Sequence, residues 1–75
     1  MPFVTIRITR DGATKDQKAQ LISGVTDLLV KVLDKNPATT HIVIEEIDTD
    51  NWGFAGEQVS VHRQRAADAA AKKAD

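Results

Sequence analysis

The sequence predicts a small α+β fold: a two-layer β-α-β unit with parallel strands and a short C-terminal β-hairpin, its sheet completed by dimerisation. Three observations predict it. Residues 3–9 alternate as a strand does, a capped stretch with apolar residues at three- and four-residue steps follows, and residues 41–47 form a second β-branched run.

In the first strand Val4, Ile6 and Ile8 fall on one face, and Phe3, Thr5, Arg7 and Thr9 on the other. Arg10-Asp11-Gly12-Ala13 turns the chain. Thr14 and Gln17 then have the spacing of a capping box, in which each side chain satisfies a backbone donor of the other, so a helix starts there. Ile22, Val25, Leu29, Val32 and Leu33, widened by Leu21 and Leu28, give it a broad apolar stripe that needs cover, and the sheet is the expected partner. Gly24 inside the stripe costs about 1 kcal/mol relative to alanine, which is tolerable where another backbone passes close by. Asn36-Pro37 ends the helix, because a residue before proline avoids the helical region.

Two strands joined by one long helix predict a right-handed crossover and parallel pairing. A two-stranded sheet is a poor structure alone. Phe3, Val43 and Ile47 lie on the face away from the helix, so a second subunit is expected to cover them. Residues 48–51 form a polar turn, and residues 52–59, with two glycines among apolar residues, predict a hairpin that docks on a neighbour. Residues 1–61 are thus expected to form the domain, and residues 62–75 a charged, alanine-rich helix or frayed tail. Arg63, Arg65, Lys72 and Lys73 there are assigned to a solvated face and no ligand.

The totals point the same way. A 75-residue monomer buries only about 60% of the surface its unfolded chain exposes. With no cysteine in the sequence, disulfides and thiolate chemistry are excluded, and self-association remains as the source of further buried area. A formal charge of -1 gives no footprint for nucleic acid. No apolar run approaches the roughly 20 residues of a membrane span, and the N-terminus lacks the apolar stretch of a secretory signal. A soluble, cytoplasmic protein with small-molecule partners is expected.

Familiar catalytic patterns are missing. Ser23 and Ser60 have no histidine nearby in sequence, and His41 and His62 lack ligand spacing. His41 and Glu45 on one strand lie roughly 13 Å apart, too far to share a metal, so no metal site is expected. No glycine-rich phosphate loop follows the first strand.

Pro2 remains. Two readings stand for it: a proline placed where a strand begins and its missing donor is not needed, or, once Met1 is removed, a free secondary amine. An α-amino group of pKa about 7.7 to 8.0 is mostly protonated at neutral pH, so a base at this position needs apolar burial or nearby cations to lower it. Such an amine can take a proton next to a carbonyl.

The stretches PFVTIRI, TKDQKAQLI, HIVIEEI and NWGFAGE, in this order and spacing, resemble the 4-oxalocrotonate tautomerase family over residues 2–61. The resemblance implies a β-α-β subunit with a small hairpin, dimers assembling into a hexamer, and no cofactor. It implies a proline nitrogen that shuttles a proton between the enol and keto forms of its substrate. Pro2 falls on the catalytic proline, and Trp52 on the aromatic that lines the pocket; packing at a subunit contact is the other role open to Trp52. The family's arginine after the first-turn glycine is absent, since the segment reads Gly12-Ala13-Thr14, and a second family arginine aligns with His41. Arg10 and His41 are the candidate substitutes for substrate binding, against a solvated turn arginine and an exposed strand histidine. Loss of both family arginines argues against the usual dicarboxylate and for a monoacid, an aryl-pyruvate enol or a broad, weak tautomerase activity. Hydration or dehalogenation through a protonated proline, and a catalytically silent binding module, are the alternative functions.

Overall fold

The computed structural model describes residues 1–73. Strand β1 (Phe3–Thr9) leads to helix α1 (Lys15–Leu33), a 3₁₀ turn (Pro37–Thr39) and strand β2 (His41–Ile47). A second 3₁₀ turn (Thr49–Asn51) precedes the short strands β3 (Gly53–Phe54) and β4 (Glu57–Gln58), and helix α2 (Val59–Lys73) follows directly. The chain therefore has the α+β architecture its sequence predicts: a parallel β1-β2 pair with α1 as the crossover, then an antiparallel hairpin.

The register runs from Phe3 opposite His41 to Thr9 opposite Ile47. Backbone bonds from His41 N–H to the Pro2 carbonyl at 3.0 Å and from Arg10 N–H to the Ile47 carbonyl at 2.9 Å extend the ladder at both ends. Because paired residues in a parallel sheet share a face, Val4, Ile6 and Ile8 align with Ile42, Ile44 and Glu46, all half-buried. Glu46 is the acid in this layer, and Lys18 of α1 pairs with it. On the opposite face Phe3, Thr5 and Arg7 stand beside His41, Val43 and Glu45, all exposed.

The helix starts as expected: Gln17 N–H donates to the Thr14 hydroxyl at 3.1 Å, and Thr14 N–H to the Gln17 side chain at 2.9 Å. It ends sooner, at Leu33. Asp34 takes the left-handed conformation (φ 52°, ψ 40°) and its N–H closes back on the Leu29 and Val30 carbonyls, terminating the helix before Asn36-Pro37 is reached. The half-buried apolar residues of α1 are Val25, Leu29 and Val30, whereas Leu28, Val32 and Leu33 remain exposed. The sheet thus covers a narrower stripe than expected. The space over Gly24 is open, with no neighbouring backbone of its own chain within 4 Å.

Ala55 (φ 52°) and Gly56 (φ 79°) form the hairpin tip, the two positive φ values that a primed two-residue turn requires. Val59 N–H then donates to the Trp52 carbonyl at 2.7 Å, which fastens the start of α2 to the base of the hairpin. Among the described residues Val59, at 8% exposure, is the one buried hydrophobic. The Cα radius of gyration is 17.5 Å, against about 11 Å for a compact domain of this length. A chain so extended leaves much of its apolar surface exposed.

Beyond the buried Val59 at its start, α2 is held by polar and aromatic side-chain contacts. Arg63 pairs with Asp11, Arg65 with Glu57, and the His62 ring stacks on Phe54 with centroids 3.9 Å apart. Phe54 also offers its carbonyl to His62 Nε2 at 2.9 Å. No helix among the described residues is long and apolar enough to cross a membrane.

Candidate active site

Pro2 sits immediately before β1, half-buried, with its carbonyl fixed by the His41 N–H at 3.0 Å. Met1 beyond it is 88% exposed. Pro2 and His41 therefore share one end of the sheet, with the His41 side chain on the exposed face beside Phe3.

The other two candidates lie elsewhere. Arg10 follows the far end of β1, eight residues and roughly 26 Å from Pro2 at strand spacing. That is several times the length of an arginine side chain, so Arg10 does not reach back over the proline of its own chain. Its Nη2 lies 3.5 Å from the Glu46 carbonyl. Trp52 is also at this end, half-buried between the second 3₁₀ turn and the hairpin.

Trp52 walls a cavity of about 620 Å³ with Ile8, Thr9, Gly12, Ala13 and Gln17, and with the charged residues Arg7 and Asp11. Gly12 permits this shape: its φ of 85° turns the backbone sharply between strand and helix. The volume falls within the range usual for small-molecule sites. Ile8 and Trp52 supply the apolar part, and the charges are paired. Arg7 Nε donates to Glu45 Oε2 at 3.0 Å. Asp11 accepts from Arg63 Nη1 at 2.6 Å and Nη2 at 3.1 Å, and from the Thr9 hydroxyl.

These bonds set the electrostatics. The Arg63 guanidinium, helped by the Thr9 hydroxyl, holds the Asp11 carboxyl down to about 2, and Asp11 in turn raises Arg63. At the hairpin the Arg65 guanidinium lowers Glu57, and Glu57 raises Arg65. Arg63 and Arg65 thus do more than decorate a solvated face: each ties α2 to another element. Nothing local in the sequence signals the Arg63–Asp11 pair, whose members are 52 positions apart. Among the described residues no group of three or more His, Asp or Glu is placed to hold a metal ion.

The structure brings Pro2 and His41 together at one end of the sheet, and Trp52 with Arg7 and Asp11 at the other. In a single chain these two groups of residues are separate. The family model described as Tautomerase enzyme matches residues 2–62. A probable tautomerase of Dickeya dadantii is 64% identical over 66 residues, covering 88% of this chain and 98% of its own length. A probable tautomerase of Helicobacter pylori is 48% identical over 67 residues, covering 87% of this chain and 98% of its own. The crystal structure of DmpI from Helicobacter pylori superposes with a TM-score of 0.80 at 48% identity, covering 84% of this chain and 97% of that one. One of the 4-oxalocrotonate tautomerase isozymes of Methylibium petroleiphilum, 23% identical, shares the fold with a TM-score of 0.79 over 85% of this chain and 98% of its own. From β1 through the start of α2, this chain belongs to the tautomerase family.

Proposed function

We propose that this protein is a keto–enol tautomerase acting on a 2-oxo acid or related carbonyl compound, with the Pro2 nitrogen, freed by removal of Met1, as general base and then general acid. The observation that carries the reading is the placement of Pro2: half-buried at the head of β1, its carbonyl locked by His41 N–H at 3.0 Å. That hydrogen bond anchors at the head of β1 the residue that carries the nitrogen. Family membership supports the same chemistry.

In this reading the uncharged amine takes the proton of the enol hydroxyl. The O–H electron pair becomes part of the new carbonyl, and the carbon–carbon double bond takes a proton back from the prolinium at the neighbouring carbon. No electrons leave the substrate, so the step needs no cofactor. His41, at the same sheet end, donates to the substrate carbonyl or pairs with its carboxylate.

Trp52 and its cavity lie at the opposite end of β1 from Pro2 of the same chain. The cavity of one copy therefore receives Pro2 of another, and the site exists only in the assembly. Exposed Phe3 (67%) and Val43 (37%) on the sheet and Leu28 (58%) and Val32 (67%) on α1 supply the apolar surface for a homo-oligomer of dimer units, built up to a hexamer. Arg10 would then meet substrate only across that interface. The working compartment in this reading is the cytoplasm.

The test is ketonisation of phenylenolpyruvate. The protein should accelerate it, Pro2→Ala should lose most of the acceleration, and mass spectrometry should find the mature chain beginning at Pro2. An unchanged Pro2→Ala rate would overturn the reading.

A further inference from the structure

The cavity beside Trp52 carries a charge pattern that discriminates among substrates. Two of its lining residues are charged, the cation Arg7 and the anion Asp11. Arg63 stands behind Asp11, bound to both carboxylate oxygens at 2.6 and 3.1 Å, with Nη2 also 3.4 Å from the hydroxyl of the lining Thr9. A guanidinium thus reaches the wall where a substrate anion could be received, but a carboxylate already occupies it.

We infer that the Asp11–Arg63 pair is a specificity device: it neutralises the cation on the cavity wall and so selects enols with one carboxylate and an uncharged tail over dicarboxylates. The inference rests on the tautomerase reading above, in which this cavity is one wall of the site. A monoacid such as phenylenolpyruvate lays its ring against Trp52 and Ile8, which are apolar and half-buried. A dicarboxylate of the same skeleton puts its second carboxylate near ionised Asp11, where like charges repel. Rejection by a repulsive group is a common way to build specificity. Arg7, paired with Glu45 through its Nε at 3.0 Å, presents its terminal nitrogens to the single carboxylate. Arg63 lies one residue beyond the family match, which ends at residue 62 inside α2.

Asp11→Asn is the informative substitution. The amide keeps an oxygen to accept from Arg63, so the guanidinium stays in place while its neutralising charge is gone. Two pairs of compounds that differ by a carboxylate in place of a phenyl ring read the outcome: the enols of oxaloacetate and phenylpyruvate for turnover, and fumarate and cinnamate for binding, followed through the indole N–H of Trp52, the single tryptophan of the sequence, by NMR. D11N should raise the ratio of kcat/KM for the dicarboxylate enol over the aryl enol about tenfold, mainly through KM, and should tighten fumarate by a similar factor. Adding Arg63→Gln should cancel the gain, and Arg63→Lys in place of glutamine should keep part of it.

An unchanged ratio and unchanged fumarate affinity in folded D11N would overturn the inference, as would a gain that survives Arg63→Gln. Circular dichroism and sedimentation of each variant establish folding. The single variant Arg63→Gln is an independent check, since bare Asp11 should weaken fumarate below the wild-type level. The two readings fail separately. Pro2-dependent turnover of phenylenolpyruvate without any effect of D11N removes the charge discrimination alone; a fumarate shift in D11N without Pro2-dependent turnover removes the tautomerase reading alone.

Discussion

The backbone N–H of His41 donates to the carbonyl of Pro2 at 3.0 Å, one residue before the regular pairing of β1 with β2 begins. The bond belongs to the main chain, so it survives any substitution at His41 that preserves the strand. His41→Gln should therefore leave the sheet intact and test the side chain alone. If that side chain meets the substrate, a hydrogen bond to a charged group worth about 1.5 to 3 kcal/mol is lost or weakened, and KM for phenylenolpyruvate should rise about tenfold or more. Steady-state kinetics with circular dichroism as a control gives the answer.

Val43 lies at the centre of the exposed sheet face, opposite Thr5 and 37% exposed in the single chain. A face that closes against another copy does not tolerate a buried, unpaired charge. Val43→Glu should shift the protein to smaller species in sedimentation velocity and abolish turnover, because the proposed site draws on two copies. An active, fully assembled Val43→Glu variant would mean that this face is not an interface.

Asp11 ties the turn after β1 to α2, and its carboxyl is held down to about 2 by Arg63 and Thr9. Because the folded value lies below the unfolded one of about 3.9, the contribution of this pair is complete above that value and disappears as pH falls through about 2. Amide exchange in the first turns of α2 should accelerate as pH drops across this window, after correction for intrinsic rates, and Asp11→Asn should remove that dependence. A Asp11 carboxyl titrating near 3.9 by ¹³C NMR would contradict the pairing.

Thr14 and Gln17 close the N-terminus of α1 reciprocally at 3.1 and 2.9 Å. Thr14→Ala removes the cap acceptor and should cost about 1 kcal/mol, within the usual range of about 0.5 to 2. Thr14→Ser should cost much less. Urea denaturation at fixed protein concentration measures both.

What was legible in the sequence follows from how local each signal is. The strands were readable because alternation from Phe3 to Thr9 and β-branching from His41 to Ile47 are properties of neighbouring residues. The start of α1 was readable because Thr14 and Gln17 are three apart. Its end was not: Asp34 adopts φ 52° without being glycine or asparagine, so nothing in the local sequence announces it. Periodicity on α1 marks apolar residues without saying what covers them, and Val32 and Leu33 are exposed in the protomer. Pro2, His41 and Trp52 could be singled out, but not their division between two ends of a strand, which depends on pairing register. Asp11 and Arg63 were missed as a pair because they meet only in three dimensions.

The central claim is an uncharged Pro2 nitrogen at neutral pH, and titration of that nitrogen by ¹⁵N NMR in the assembled, Met1-free protein tests it most directly. A midpoint below the ordinary α-amino range of about 7.7 to 8.0, moving upward to that range when Val43→Glu splits the assembly, is the predicted result. A prolyl nitrogen that stays fully protonated through pH 7 in the intact assembly would contradict it.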